Sequence, residues 1–305
     1  MTALPSMPFW YKRSGGLLPA NTANESDMAV VNGVLILTVF NRPPLTQQVM
    51  FFDISDPSNP IHLATQSWPG AMGAMLVDGS GIVHIYGCSP PPQTQISYNN
   101  AIIHSTVDPT NGWEISAPTT IIQLPANSGL GFANIMAGVV PGGYLLGNGQ
   151  DYSSGGFAQS FIFSTTPDFA SYTQKAAFFE GGSFTTQTDF IGRGKITTMA
   201  DGWTYITSDS VNGYCRIART KDFINFDFST TTAYGFMGPG PTDAFPGKVG
   251  GTPFYDGNVV YTQWQYAGQP VVYAAYFESN ETNDGQLMVA TYLGTLESLF
   301  AQFSF

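Results

Sequence analysis

The stretch that decides the fold is TDFIGRGKITTMADGWTYITSD, residues 188–209, with its counterpart TDAFPGKVGGTPFYDGNVVYTQ, residues 242–263. Both begin Thr-Asp, both carry Gly-Lys before an apolar run, and both reach an Asp-Gly dipeptide, Asp201-Gly202 and Asp256-Gly257. Asp-Gly between apolar runs is a hairpin signal, because glycine accepts the positive φ that the tight turn needs. Two copies about 55 residues apart call for a search for more.

Three further hairpin-like stretches precede them. They are SDMAVVNGVLILTVF (26–40), AMGAMLVDGSGIVHIYG (71–87) and NIMAGVVPGGYLLGNG (134–149), with turns at Asn32-Gly33, Asp78-Gly79 and Pro141-Gly142. A second set of anchors interleaves with the first. Asp56-Pro57, Asp108-Pro109, Asp168-Phe169 and Asp222-Phe223 each follow a β-rich run, and in three cases an aromatic follows (Trp113, Tyr172, Phe226). These read as tight connections to an outer strand, with Asp bonding local amides and the aromatic packing between sheets. The fifth counterpart is degenerate, at Glu278 to Gly285.

Five interleaved repeats without helical periodicity, each with room for four short strands, predict an all-β, five-bladed β-propeller of four-stranded antiparallel blades. A pair of β-sandwiches is the runner-up, but it does not explain two anchor sets alternating in step. Residues 1–24 precede the first repeat and are expected to clip onto the rim of a single propeller over 25–305. The tail YLGTLESLFAQFSF is expected to supply the last strands and a closing contact.

Composition narrows the partners. Of 305 residues only 10% are charged, against ~25% in ordinary globular chains, and 43% are apolar. Thr, Ser, Asn and Gln carry the polarity, which suits neutral polar ligands and equally suits a surface packed into a large assembly. The net charge of −11, with ten Lys and Arg, argues against nucleic acid and against an anionic membrane surface. No apolar run is long enough to insert in a membrane. No signal peptide is visible in MTALPSMPFWYKRSGGLLP, so the expected start is cytoplasmic, with release by lysis or carriage on a particle such as a virion left open. Cys88 and Cys215 read as two buried thiols, with one long-range disulfide as the alternative. His62, His84 and His104 lack metal-ligand spacing and are read as local hydrogen-bonding groups.

The repeated hairpins and the turns at Thr166 to Tyr172 and Thr220 to Phe226 resemble those of the five-bladed glycoside hydrolases that include arabinanases, xylosidases and invertase-like enzymes. That resemblance implies carboxylates at the inner ends of different blades, serving as base or nucleophile, acid and acid-tuning group. Asp27, opening the first inner strand, matches the first role, although Asp27-Met28 stands where the family has Asp-Pro. The Trp-Glu-Cys-Pro and Arg-Asp-Pro signatures are absent. Glu180, in FFEGGSF, is the best candidate for the acid, and Asp189 and Asp243 precede their inner strands near the mouth of a central funnel. Glycoside hydrolysis needs one protonated and one ionised carboxyl. Each of the four also has a purely structural reading: a bond to strand-end amides, a turn, or an ion pair with Lys195 or Lys248 across the funnel. Trp68, Phe132, Phe190 and Phe245 are candidates to stack on sugar rings, and equally candidates for packing between blades. The same fold admits a Ca²⁺ in its central channel, although no loop has an EF-hand pattern.

Three functions follow from these observations. One is a glycan-recognising propeller on a virion tail or surface appendage, with a cell-surface glycan as partner. The second is a glycoside hydrolase, and the third a docking module for other structural proteins of an assembly.

Overall fold

The computed structural model describes residues 11–12, 24–41, 46–57, 59–88, 101–124, 130–152, 157–177, 194–208, 216–229, 257–279 and 285–305. They form five four-stranded antiparallel sheets arranged as propeller blades. Blade 1 holds β2 (Asn24–Val31), β3 (Val34–Asn41), β4 (Thr46–Asp53) and β5 (Ile61–Trp68). Blade 2 holds β6 (Ala71–Val77), β7 (Val83–Cys88), β8 (Ala101–Val107) and β9 (Thr119–Gln123). Blade 3 holds β10 (Leu130–Val140), β11 (Gly143–Tyr152), β12 (Phe157–Ser164) and β13 (Thr173–Ala177). Blade 4 holds β14 (Ile196–Thr198), β15 (Thr204–Ser208), β16 (Arg216–Thr220) and β17 (Asp227–Phe228).

Blade 5 closes the ring with strands from both ends of the sequence. Its inner strands are β18 (Gly257–Tyr266), β19 (Gln269–Ser279) and β20 (Gly285–Leu293). Its outermost strand is β1 (Tyr11–Lys12), which pairs Tyr11 with Thr291 and Lys12 with Ala290. Among the described residues no helix is long and apolar enough to cross a membrane.

The nearly continuous apolar runs follow from each blade being covered on both faces. Side chains alternate across a strand, so Leu35, Leu37 and Val39 pack toward blade 5 while Ile36 packs toward blade 2. Each core cluster joins two adjacent blades in this way, and the five clusters link the blades into a ring. At Gly138, which has no Cβ, the inner strand of blade 3 runs directly against the Ile196 backbone of blade 4.

The connections to the outer strands behave as their sequence predicts. Asp108, Asp168 and Asp222 accept hydrogen bonds from the amides two residues on, at Thr110, Ala170 and Ile224. In blade 1 the Asp56 carbonyl accepts from the Asn59 amide as the Asp108 carbonyl does from Asn111, and Asp53 accepts from the Ser55 amide at 2.8 Å. Trp113 packs 5.7 Å from Phe51, and Phe223 and Phe226 pack between blades 3 and 4. In blade 3 the packing aromatic is Phe169 rather than Tyr172, which is 44% exposed.

Two sequence expectations need correction. The inner hairpin of blade 5 does not turn at Asp256-Gly257. Gly257 is already in β18, paired with Phe277, and the chain reverses at Ala267-Gly268 (φ +48° and +76°). Asn32-Gly33 has the same pair of positive angles, but Ala267 carries no turn signal. The tail also does not end in strands alone. After β20 comes the helix α1 (Leu296–Phe300), whose N-cap Thr295 accepts from the Ser298 amide at 3.1 Å. It buries Leu299 and Phe300 between blades 4 and 5, with the Phe300 ring 4.5 Å from Tyr205.

A left-handed alanine is strained, and asparagine or glycine relieves that strain by about 0.5–1 kcal/mol. Ala267→Asn is therefore expected to raise the thermal midpoint by roughly 1–2 °C, measured by differential scanning calorimetry. No gain would contradict the turn assignment.

Candidate functional site

Each inner strand has one edge facing the propeller axis, where no further strand can pair with it. The backbone groups on that edge need other partners. In blade 1 the register between β2 and β3 shifts between Asn24 and Asp27, a bulge repeated at the start of β6 between Ala71 and Ala74. Such a bulge re-aims the residue that follows it. The Thr38 hydroxyl accepts from the Asp27 amide at 2.9 Å and fixes that bulge.

Asp27 is 2% exposed. One carboxylate oxygen accepts from the Met28 amide at 2.7 Å and the other from the Met75 amide of blade 2. Lys195 reaches in from blade 4, its backbone held by reciprocal bonds with Thr207. Its Nζ lies 2.9 and 3.1 Å from the two Asp27 oxygens, 3.0 Å from the Met28 carbonyl and 2.8 Å from the Met75 carbonyl. Carboxylate and ammonium thus satisfy the amides and carbonyls of the same two residues. Burial pushes the Asp27 carboxyl up from its ordinary range, opposed by the Lys195 charge and hydrogen bond and by the two amides.

The arrangement bears directly on chemistry. Both Asp27 oxygens are engaged and the carboxylate is buried, while Lys195 covers it from the channel side. A general base or nucleophile needs a lone pair directed at the substrate, and Asp27 presents none here. A Ca²⁺ fits these donors poorly. It takes six to eight oxygens at about 2.3–2.6 Å, whereas the described axial oxygens surround an ammonium at hydrogen-bond length.

Beyond the pair a channel of about 240 Å³ runs between the inner strands of all five blades. Its lining includes Ala29, Met75, Ala137, Gly138, Thr197, Thr198 and Thr262. These positions lie between the Asp27–Lys195 level and the inner hairpin turns, so the channel opens on the turn face. Thr262 continues along one face of β18 into Trp264 and Tyr266, two and four residues on. Trp264 is half-buried against the blade 1–blade 5 core, and Tyr266 is exposed. Their ring centroids are 5.8 Å apart. Gln265 and Gln269 are exposed on the same hairpin.

The remaining sequence candidates fall as follows. Trp68 is buried between blades 1 and 2, where its indole N–H donates to Ser105 at 3.0 Å. Phe132 is buried between blades 2 and 3. Neither ring keeps a face for a sugar, so both serve packing. Glu180, Asp189, Phe190, Asp243, Phe245 and Lys248 lie outside the described residues. The turn at Ala267-Gly268 also removes the register that made Lys248 the counterpart of Lys195. Cys88 is a buried thiol and Cys215 lies outside the described residues.

Sequence spacing did not bring His84 and His104 together, but the antiparallel pairing of β7 and β8 does. Their rings stack, with His84 Nδ1 2.9 Å from His104 Nε2, and His84 Nε2 lies 3.1 Å from Asp78. Burial, reinforced by His84, holds His104 down at about 4. Burial also lowers His84, against the opposing pull of Asp78.

These strands define a class of fold, the five-bladed β-propeller. The likeness is to individual solved structures over nearly their full length. An α-L-arabinofuranosidase from Podospora anserina, solved with cellotriose, superposes with a TM-score of 0.59 at 11% identity, covering 94% of this chain and 98% of its own. The catalytic domain of a Coprinopsis cinerea α-L-arabinofuranosidase gives 0.60 at 10% identity, with the same coverages. An endo-arabinanase from Bacillus licheniformis gives 0.52 at 14% identity, covering 93% and 96%. At such identities the shared property is the fold, which does not itself carry a function. No family model and no curated protein matches the sequence.

Two outcomes test the site. Removing one partner of a buried ion pair costs about 3–5 kcal/mol, so Asp27→Asn and Lys195→Met should each lower the thermal midpoint by roughly 5–8 °C. A change within 2 °C would mean the pair is not formed. For His104, the unfolded chain takes up a proton near the ordinary 6.5, whereas the folded chain resists until about 4. Stability should therefore fall as pH drops through that window. His104→Gln should flatten the slope of urea midpoint against pH, and an unchanged slope would contradict the assignment.

Proposed function

We propose that this chain is a carbohydrate-recognising propeller that binds neutral glycan without using Asp27 in catalysis. The observation that carries the reading is the ladder Thr262–Trp264–Tyr266, leading to the turn face from an open channel whose one charged lining residue, Lys195, is paired with Asp27. Aromatic rings offer an apolar face to the C–H face of a sugar ring. Threonine hydroxyls and the side-chain amide of Gln269, which pairs with Tyr266, suit its hydroxyl groups. The only described charges at the axis neutralise each other, which favours an uncharged ligand. The channel volume of about 240 Å³ is on the scale of a single sugar unit. Two proteins of similar fold were solved with oligosaccharides, cellotriose and xylotriose, which is consistent with a carbohydrate partner. A place on a virion tail or other surface appendage, among further structural proteins, rests on the charge-poor composition.

Hydrolysis is the second reading, favoured by the full-length likeness to glycoside hydrolases. It would rest on Glu180, Asp189 and Asp243, and not on Asp27.

A glycan array followed by titration calorimetry tests the first reading. Tyr266→Ala should weaken binding roughly tenfold, about 1.4 kcal/mol, with the fold retained, since the ring is partly exposed at the hairpin turn. Failure to bind any neutral glycan would contradict it. Release of reducing sugar, cut about 10³-fold or more by Glu180→Gln or Asp189→Asn, would select the hydrolase instead.

A further inference from the structure

The architecture invites a metal ion at its axis, and the donor set there disagrees. We infer that the Lys195 ammonium is itself the axial cation, a monovalent charge tethered to blade 4 and seated in an oxygen cage built by blades 1 and 2. Four oxygens surround Nζ at 2.8–3.1 Å, two from the Asp27 carboxylate and one each from the Met28 and Met75 carbonyls. Those are hydrogen-bond lengths for an ammonium donor and too long for Ca²⁺ coordination. Charge points the same way. Asp27 brings one negative charge and Lys195 one positive, with side chains 2% and 11% exposed. A divalent ion added beside Lys195 would leave buried positive charge uncompensated, which is strongly unfavourable.

The cage is selective by the same argument. Cutting Lys195 back to alanine leaves one buried carboxylate and two carbonyls facing a space the size of the lost side chain. A small monovalent cation with N–H donors, such as ammonium or methylammonium, restores both the charge and the hydrogen bonds. Tetramethylammonium has the charge but no N–H donor. The inference does not depend on what the turn face binds, and its test reads stability alone.

The experiment is thermal melting of wild type, Lys195→Ala and Lys195→Met with added chloride salts at constant ionic strength. Lys195→Ala should melt roughly 5–8 °C below wild type. Methylammonium at tens of millimolar should recover at least half of that loss, and tetramethylammonium should recover none. Lys195→Met, whose side chain fills the space, should not respond. Stronger recovery by Ca²⁺ than by methylammonium, or no recovery by any cation, would overturn the inference. Should Lys195→Ala fail to fold, ¹⁵N-lysine NMR of the wild type decides the matter. A slowly exchanging ammonium signal that disappears in Lys195→Arg is expected, and only fast-exchanging lysine signals would overturn it.

Discussion

A propeller leaves an open strand edge at its own centre. Inner strands that meet around an axis have hydrogen-bonding groups aimed at a space where no strand can follow. In this protein the requirement is met at Met28 and Met75, each of which points both its amide and its carbonyl inward. Asp27 accepts from both amides and Lys195 donates to both carbonyls. The two side chains also neutralise each other. A buried ion pair is often no more stabilising than apolar packing. Here apolar side chains would leave four backbone groups without partners, and that need accounts for a charged pair at the axis. The pair ties blades 1, 2 and 4 together, while the five interblade clusters and the strand β1 hold the outer ring.

The same interaction divides fold from function. The chain shares its fold with solved arabinofuranosidases and an endo-arabinanase, and its first inner strand carries an aspartate where the resemblance expects a catalytic one. The local chemistry gives that aspartate a different task. Its oxygens are saturated by two amides and an ammonium, and its solvent access is closed. What stays open is the channel toward the turn face, lined by aliphatic residues, three threonines and Lys195, and continued by Trp264 and Tyr266. Recognition of a neutral sugar needs shape, an aromatic face and hydrogen-bonding groups, all of which are found there.

Much of the fold was legible because turns are local. Asn32-Gly33, Asp201-Gly202 and the aspartates of the outer connections announce themselves in adjacent residues. Blade 5 was misread for the same reason: Ala267-Gly268 lacks a turn-favouring first residue, and the nearby Asp256-Gly257 looked stronger. The helix over Leu296–Phe300 is too short to show periodicity. The site was less legible. Asp27 and Lys195 were both singled out, but their meeting across 168 positions depends on the whole ring closing. Trp68 and Phe132 looked available for sugar because an aromatic near a strand end reads the same whether it faces solvent or a neighbouring blade. Trp264 and Tyr266 were missed, although their alternation from Thr262 was a usable signal once the true turn was known. The His84–His104 contact needed the register of β7 and β8.

The most direct test is a crystal structure of the protein with a bound neutral oligosaccharide. The account predicts a sugar ring against Tyr266 and Trp264 at the turn face, with the Asp27–Lys195 contact intact at about 3 Å. A sugar whose anomeric carbon sits beside Asp27, with Lys195 swung out of the cage, would contradict it and return Asp27 to catalysis.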